Sequence, residues 1–160
     1  MDDLFQTQSN ELSTTTQKEK LFKDAERQWN TLSTEKGAPG RKVDFEIYKS
    51  ILYNLEIRKV YLDSKLSLEK FSSIVGTNTT YLSNAVNNYF GCNFKRLINS
   101  YRVVRAKELL DGKDCPVNEL FSRCGFASKS VFYVAFRKVV GMTPLQYISQ
   151  SRNPFMIQRN

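Results

Sequence analysis

The chain has 160 residues, 41% of them hydrophobic, and carries 24 Lys and Arg against 16 Asp and Glu, a net charge of +8. That length holds one domain, or two very small ones, plus a tail, and no apolar run approaches the roughly 18 residues of a membrane span, so a cytoplasmic protein is expected. Histidine is absent, which removes His-based metal sites and Ser/His or Cys/His nucleophile pairs; with no Gly-rich phosphate loop and no paired carboxylates, neither an enzyme nor a bound cofactor or metal is expected.

The start, MDDLFQTQSNEL, lacks the basic and apolar regions of a secretory signal. Residues 1–42 read as a polar, partly disordered segment, Ser/Thr/Gln-rich over 7–20. A short helix over 18–33 would put Leu21, Ala25, Trp29 and Leu32 on one side. It is either a frayed, weakly packed helix or a surface for a dimer mate or other partner. GAPGR at 37–41 reads as a linker, and removing residues 1–40 is expected to leave the rest working.

From 43 to 150 the pattern is helical throughout. Phe45, Tyr48, Ile51, Leu52 and Leu55 share one helix face. Ser67 caps a helix over 68–75 that ends at Gly76, and Asn78 caps one that runs to Gly91. Helix, short turn after Gly, helix is the outline of a helix-turn-helix over about 66–91. Asn93 caps a longer helix, 94–110, which DGKD at 111–114 breaks. Pro116 opens the next helix from the first-turn position where proline is tolerated, and Gly125 ends it. Ser128 caps a helix ending at Gly141, so a second helix-turn-helix spans about 115–141. Thr143 and Pro144 open a short last helix, and 151–160 is a tail. Cys92, Cys115 and Cys124 are odd in number and lack CxxC spacing, so buried free thiols of a reducing cytoplasm are expected, with a redox switch as the alternative.

The two helix-turn-helix segments repeat. At an offset of 49, Leu68 meets Val117, Phe71 meets Leu120 and Gly76 meets Gly125. One extra turn residue makes the offset 50, where Asn78 meets Ser128, Leu82 meets Phe132, Ala85 meets Ala135, Val86 meets Phe136, Gly91 meets Gly141 and Ile98 meets Ile148. The joining helix is a rod of roughly 25 Å. With its flanking turns it is expected to set the two second helices about one DNA turn apart, on the order of 34 Å.

The outward faces of those second helices carry unusual residues. The first shows Thr80, Ser83, Asn84, Asn87 and Asn88, short donors and acceptors that are mediocre helix formers. The second shows Lys129, Ser130, Tyr133, Val134 and Arg137. Residues 66–150 hold 11 basic and 5 acidic side chains, so the positive excess sits where these faces are. A helix laid in the major groove reads base edges with such groups, and a basic region attracts the phosphates. Because the faces differ, an asymmetric target is expected.

LSLEKFSSIVGTNTTYLS, INSYRVVRAKELL and GFASKSVFYVAFRKVVGMTPLQY together resemble the DNA-binding domain of the AraC/XylS family of bacterial transcription regulators. Gly125, Phe126, Ser128, Phe132, Phe136, Gly141, Thr143, Pro144 and Tyr147 stand at that family's spacing, and YLDSKLSLEKFSSIVGTNTTYLS is most similar to its Bacteroidetes members. The resemblance implies an all-α fold of two helix-turn-helix subdomains joined by a long central helix, engaging two adjacent major-groove segments of double-stranded promoter DNA. It implies base contacts from Thr79, Thr80, Ser83, Asn84, Lys129, Ser130, Tyr133 and Val134. Phosphate contacts are implied for Ser67, Asn87, Asn88, Arg102, Arg137 and Lys138, with Arg102 alternatively tying the linker helix to a subdomain.

The departures from the family pattern are Asn84 and Val134 where Arg is common, Asn87 and Asn88 where Lys is frequent, and Ile148 for a usual Arg. They leave the first recognition helix without positive charge, and a shallow salt dependence is expected from it. No β-rich effector domain precedes the repeat, so no small-molecule ligand is expected in this chain. Control by abundance, docking of the N-terminal segment on another protein, and attachment to a larger sensor remain open. RNA polymerase is an expected partner. The rival reading is a helix-turn-helix interaction module that binds polymerase or another regulator without reading bases.

Overall fold

The computed structural model describes residues 3–35, 42–113 and 115–152. Among the described residues there are eight α-helices and no strands: α1 Asp3–Glu35, α2 Lys42–Leu52, α3 Leu68–Val75, α4 Thr79–Phe90, α5 Phe94–Gly112, α6 Leu120–Arg123, α7 Lys129–Val140 and α8 Pro144–Arg152. They form two compact units. One contains α1 to α4; the other contains α5 to α8 together with the segment Tyr61–Leu66.

In the first unit, α1 replaces the disorder expected over 7–20 and is far longer than the short helix expected over 18–33. The reason is a partner for its apolar stripe. Ala25 and Trp29 are buried in one cluster with Tyr48 and Leu52, flanked by Leu21, Leu32, Phe45, Tyr89 and Phe90. The Trp29 ring lies 4.7 Å from Tyr89, 5.5 Å from Phe45 and 5.6 Å from Tyr48, centroid to centroid. Two phenols at its edge are satisfied: Tyr48 donates to Gln28 Oε1 at 2.9 Å and Tyr89 to Asp44 Oδ2 at 2.9 Å. With one face docked, the helix is nucleated, and extending it toward the N-terminus needs only one backbone bond per added residue. The GAPGR linker lies outside the described residues.

Helix α2 continues into one π-helical turn, Tyr53–Ile57, closed by Arg58 N donating to Tyr53 O at 3.2 Å. This wider turn brings Asn54 inside beside Leu55, and the buried amide donates to Ser50 O at 2.8 Å. Helices α3 and α4 form the first helix-turn-helix. Phe71, Leu82 and Val86 are fully buried in this unit. Ser67 Oγ accepts from Lys70 N, Asn78 Oδ1 accepts from Tyr81 N, and Gly76 takes the left-handed turn at φ 87°.

The second unit repeats this design on a different core: Val103, Ala106, Leu109, Leu120, Cys124, Phe126, Phe132, Ala135 and Phe136. Its first helix departs from expectation. Pro116 sits before the helix rather than in it, the chain makes a 3-10 turn over Val117–Glu119, and α6 is only four residues long. Proline at the place of Ser67 has no side-chain oxygen to hold an open first α-turn, so the chain tightens instead. Helix α5 runs two residues past the expected end, with Lys113 adopting the left-handed cap at φ 57°.

Segment Tyr61–Leu66 is clamped into the second unit. Gly125, at φ 85°, passes so close that an added β-carbon would meet Tyr61 O and lie 2.8 Å from Leu62 Cα. The matching Gly76 has open space at that point. Tyr61 stacks obliquely on Tyr101 at 5.6 Å.

Candidate nucleic-acid interface

Both second helices are built alike. Each has a polar N-cap: Asn78 Oδ1 accepts from Tyr81 N at 2.8 Å, and Ser128 Oγ accepts from Val131 N at 3.3 Å. Each ends on a glycine in left-handed geometry, Gly91 at φ 67° and Gly141 at φ 85°. Each buries a back face, Leu82, Ala85 and Val86 in α4 and Phe132, Ala135 and Phe136 in α7. A helix anchored that firmly presents its other face as a fixed array.

On α4, Thr80, Asn84, Asn87 and Asn88 are exposed, while Thr79 and Ser83 are half-buried. The helix has no ionisable cation or anion along its length. On α7, Lys129, Ser130, Val134, Arg137 and Lys138 are exposed and Tyr133 is half-buried. Tyr133 packs edge-on against Phe132 at 5.7 Å, and Lys129 Nζ lies 5.6 Å from the Tyr133 ring centroid. That cation–π contact restrains a side chain that is otherwise flexible. Val134 is 70% exposed. Ser67 is half-buried, and its oxygen is used as the α3 cap, accepting from Lys70 N at 3.1 Å.

Arg102 is a correction to the phosphate-contacting set. It is 9% exposed, with Nε donating to Tyr61 O at 2.7 Å and Nη2 to Asp63 O at 2.9 Å, and its guanidinium carbon lies 5.6 Å from the Phe126 ring centroid. Burial pulls its pKa down from the usual arginine value, and the Asp63 carboxylate opposes that shift. Its fixed fork of donors matches two backbone carbonyls, so it ties α5 to segment Tyr61–Leu66 instead of facing solvent.

The thiols divide as well. Cys124 is buried, whereas Cys92 and Cys115 are only half-buried. Burial pushes the Cys124 thiol up to about 12, so it is inert as a nucleophile near neutrality. Among the described residues, no group of His, Cys, Asp or Glu could hold a metal ion, and no helix is long and apolar enough to cross a membrane.

Lys95 and Arg96 escaped the reading of the sequence because they fall in the joining helix. With Asn93, Asn99, Ser100, Ala135, Lys138 and Val139 they line a cleft of about 410 Å³ in the second unit. The available signal was local: two adjacent cations in the first turn of a helix, the end where the macrodipole favours anions.

A helix-turn-helix domain family model matches residues 71–150, half of the chain. The chain is 31% identical over 91 residues to the transcriptional activator RhaR of Enterobacter sp., covering 57% of this chain and 32% of that protein. It is 27% identical over 124 residues to the melibiose operon regulatory protein of Escherichia coli K12, covering 76% and 40%. The chain thus spans well under half the length of these relatives. Among solved structures, the C-terminal domain of the response regulator AraT from Geobacillus stearothermophilus superposes with a TM-score of 0.58 at 28% identity, covering 66% of this chain and 84% of that one. The DNA-binding domain of AdpA, solved with a target DNA, has the same fold, with a TM-score of 0.59 at 21% identity over 68% of this chain and 96% of that one. The chain belongs to the AraC-type helix-turn-helix family of DNA-binding transcription regulators.

Proposed function

We propose that the chain is a sequence-specific regulator that reads two adjacent major-groove segments of duplex DNA, one with α4 and one with α7. The observation that carries this reading is the pairing of two helices, each with a polar N-cap, a closing glycine and a buried back face, with outward arrays of different chemistry. On α7, Lys129 and Ser130 supply base-edge donors, and Val134 offers an apolar contact that suits a thymine methyl. Tyr133 holds Lys129 and adds its own edge. On α4, Thr80 and Asn84 are the exposed base readers, with Thr79 and Ser83 supporting them. Ser67, Asn87, Asn88, Arg137 and Lys138 serve the phosphate backbone, where helix starts and small polar groups fix register.

RNA polymerase is the partner that a promoter-bound regulator addresses, in the cytoplasm. A partner gripping α1 would act on the C-terminal end of α4 through the Trp29–Tyr89 contact.

The test is an electrophoretic shift of fragmented genomic DNA with the whole chain and excess nonspecific duplex. Retention of a small, reproducible subset of fragments is the expected result. Uniform or absent retention would favour the interaction-module alternative, which the uncharged face of α4 supports.

A further inference from the structure

We propose that Val131 and Val134 on α7 together form a seat for the C5-methyl group of a pyrimidine, thymine or 5-methylcytosine, in the major groove. This rests on the DNA-binding reading above and extends it to a second side chain and a second base. Val134 is 70% exposed and Val131 47%. Three residues apart, they adjoin on the helix surface. Ser130, Val134 and Arg137, at i, i+4 and i+7, make the middle of the outward face. Lys129 and Tyr133 flank that strip on one side and Val131 on the other. Lys129, Ser130 and Arg137 are exposed, and α7 carries no acidic residue. The matching places on α4 hold Tyr81, half-buried, and Asn84, and α4 exposes no large hydrophobic side chain. The aliphatic pair is therefore a property of the second helix alone.

These valines contribute little to the fold. A β-branched residue is a mediocre helix former, and a side chain left mostly in water recovers little from burial. What they offer is shape. Valine keeps one preferred χ1 rotamer in a helix, so its methyls stand in fixed positions. Val131 is fixed further by its backbone N–H, which donates to the Ser128 cap at 3.3 Å. The C5-methyl of thymine is the apolar group that a base pair presents in the major groove, and a cytosine methylated at C5 presents the same group from the same ring position. Contact between these methyls takes apolar surface of both partners out of water. The surroundings select a nucleic acid, because Lys129 and Arg137 on the same face attract phosphates. An apolar side chain of a protein partner fits less well, since two valines on a convex helix form no pocket that would bury an anchor.

The test uses the whole chain and a duplex that it selects from a random library. Each thymine in turn is replaced by deoxyuridine, which removes the methyl and keeps the base pairing and the hydrogen-bonding edge. At one or two positions the affinity should fall about fourfold per methyl. The double variant Val131→Ser/Val134→Ser should bind the thymine and deoxyuridine duplexes equally at those positions. Val134→Ser alone, at the more exposed place, decides the matter if the double variant fails to fold. A duplex pair with cytosine or 5-methylcytosine at the sensitive position separates the two sources. A gain of about fourfold from the added methyl admits methylcytosine beside thymine, whereas equal binding overturns that half of the proposal. A wild-type chain that tolerates deoxyuridine at every thymine overturns the seat. So does a folded serine variant that keeps the wild-type ratio, since other residues then read the methyl. A serine variant that binds DNA as the wild type does but fails to activate a reconstituted transcription reaction would assign the valines to a protein contact instead. A wild-type chain that selects no duplex overturns the DNA reading itself, and this seat with it.

Discussion

The two helix-turn-helix copies share a skeleton and differ in what they do with it. Phe71 and Leu120, Leu82 and Phe132, and Val86 and Phe136 are fully buried at matching places, and the N-caps and closing glycines coincide. The first copy is steadied from outside by α1, through Trp29 on Tyr89, and meets solvent with uncharged Thr, Ser and Asn. The second copy is steadied by Arg102 and by segment Tyr61–Leu66, and meets solvent with Lys129, Arg137 and Lys138. A repeat can therefore keep its geometry while presenting an uncharged polar face in one copy and a cationic face in the other.

The largest expected effect separates Gly125 from Gly76. Both are left-handed, at φ 85° and 87°, and alanine there costs about 1–2 kcal/mol for the backbone alone. At Gly125 the new methyl also runs into the Tyr61–Leu62 backbone, so Gly125→Ala should cost several kcal/mol, about 3 or more. Chemical denaturation of the two variants checks this, and equal losses would mean the clamp on segment Tyr61–Leu66 yields freely.

Trp29→Ala should destabilise the first unit by about 3–5 kcal/mol and weaken recognition of the α4 half-site. Removal of residues 1–40, which the sequence alone suggests would leave DNA binding intact, should weaken it instead, because that cut takes Ala25 and Trp29 out of a core. Wild-type stability after truncation would restore the earlier view. Arg102→Gln should likewise destabilise the second unit, by about 3 kcal/mol, while leaving the salt slope of DNA binding unchanged. A slope reduced by close to one would return Arg102 to the phosphate set.

On DNA, Lys129→Ala should cost about 1–3 kcal/mol of binding and relax specificity at its base. Thr80→Ala should cost less, because it removes no charge. Binding isotherms on one duplex decide the ranking, and equal losses would erase the proposed division between the helices. The smallest effect is chemical. At pH 8, Cys92 and Cys115 should react with a thiol reagent while Cys124 does not. Its folded pKa, about 12 against an ordinary 9.0, means the neutral thiol is the stabilised form. That stabilisation is complete below pH 9 and is lost as pH rises toward 12. Fast alkylation of all three thiols in the folded chain would contradict this.

What the sequence made legible was local. Ser67, Asn78, Asn93 and Ser128 act as caps because a side-chain oxygen needs only a backbone N–H three residues on. The outward faces of α4 and α7 follow from helical spacing once the buried stripe is identified. What stayed hidden depended on partners far along the chain: Trp29 on Tyr89, Arg102 on the carbonyls of Tyr61 and Asp63, and Gly125 against Leu62. The helix through 7–20 is not legible in that polar run because composition cannot register that a docked stripe farther on carries the helix. Lys95 and Arg96 on α5 and Lys138 on α7 line one cleft, a juxtaposition that no spacing along the chain reveals.

The decisive measurement is selection of bound sequences from a random duplex library by the whole chain at two salt concentrations. One asymmetric site, with two parts about ten base pairs apart, is the predicted outcome, and raising salt should thin the population without changing either part. A symmetric site, or a single short half-site at both salt concentrations, would contradict readout by two unequal helices in one chain.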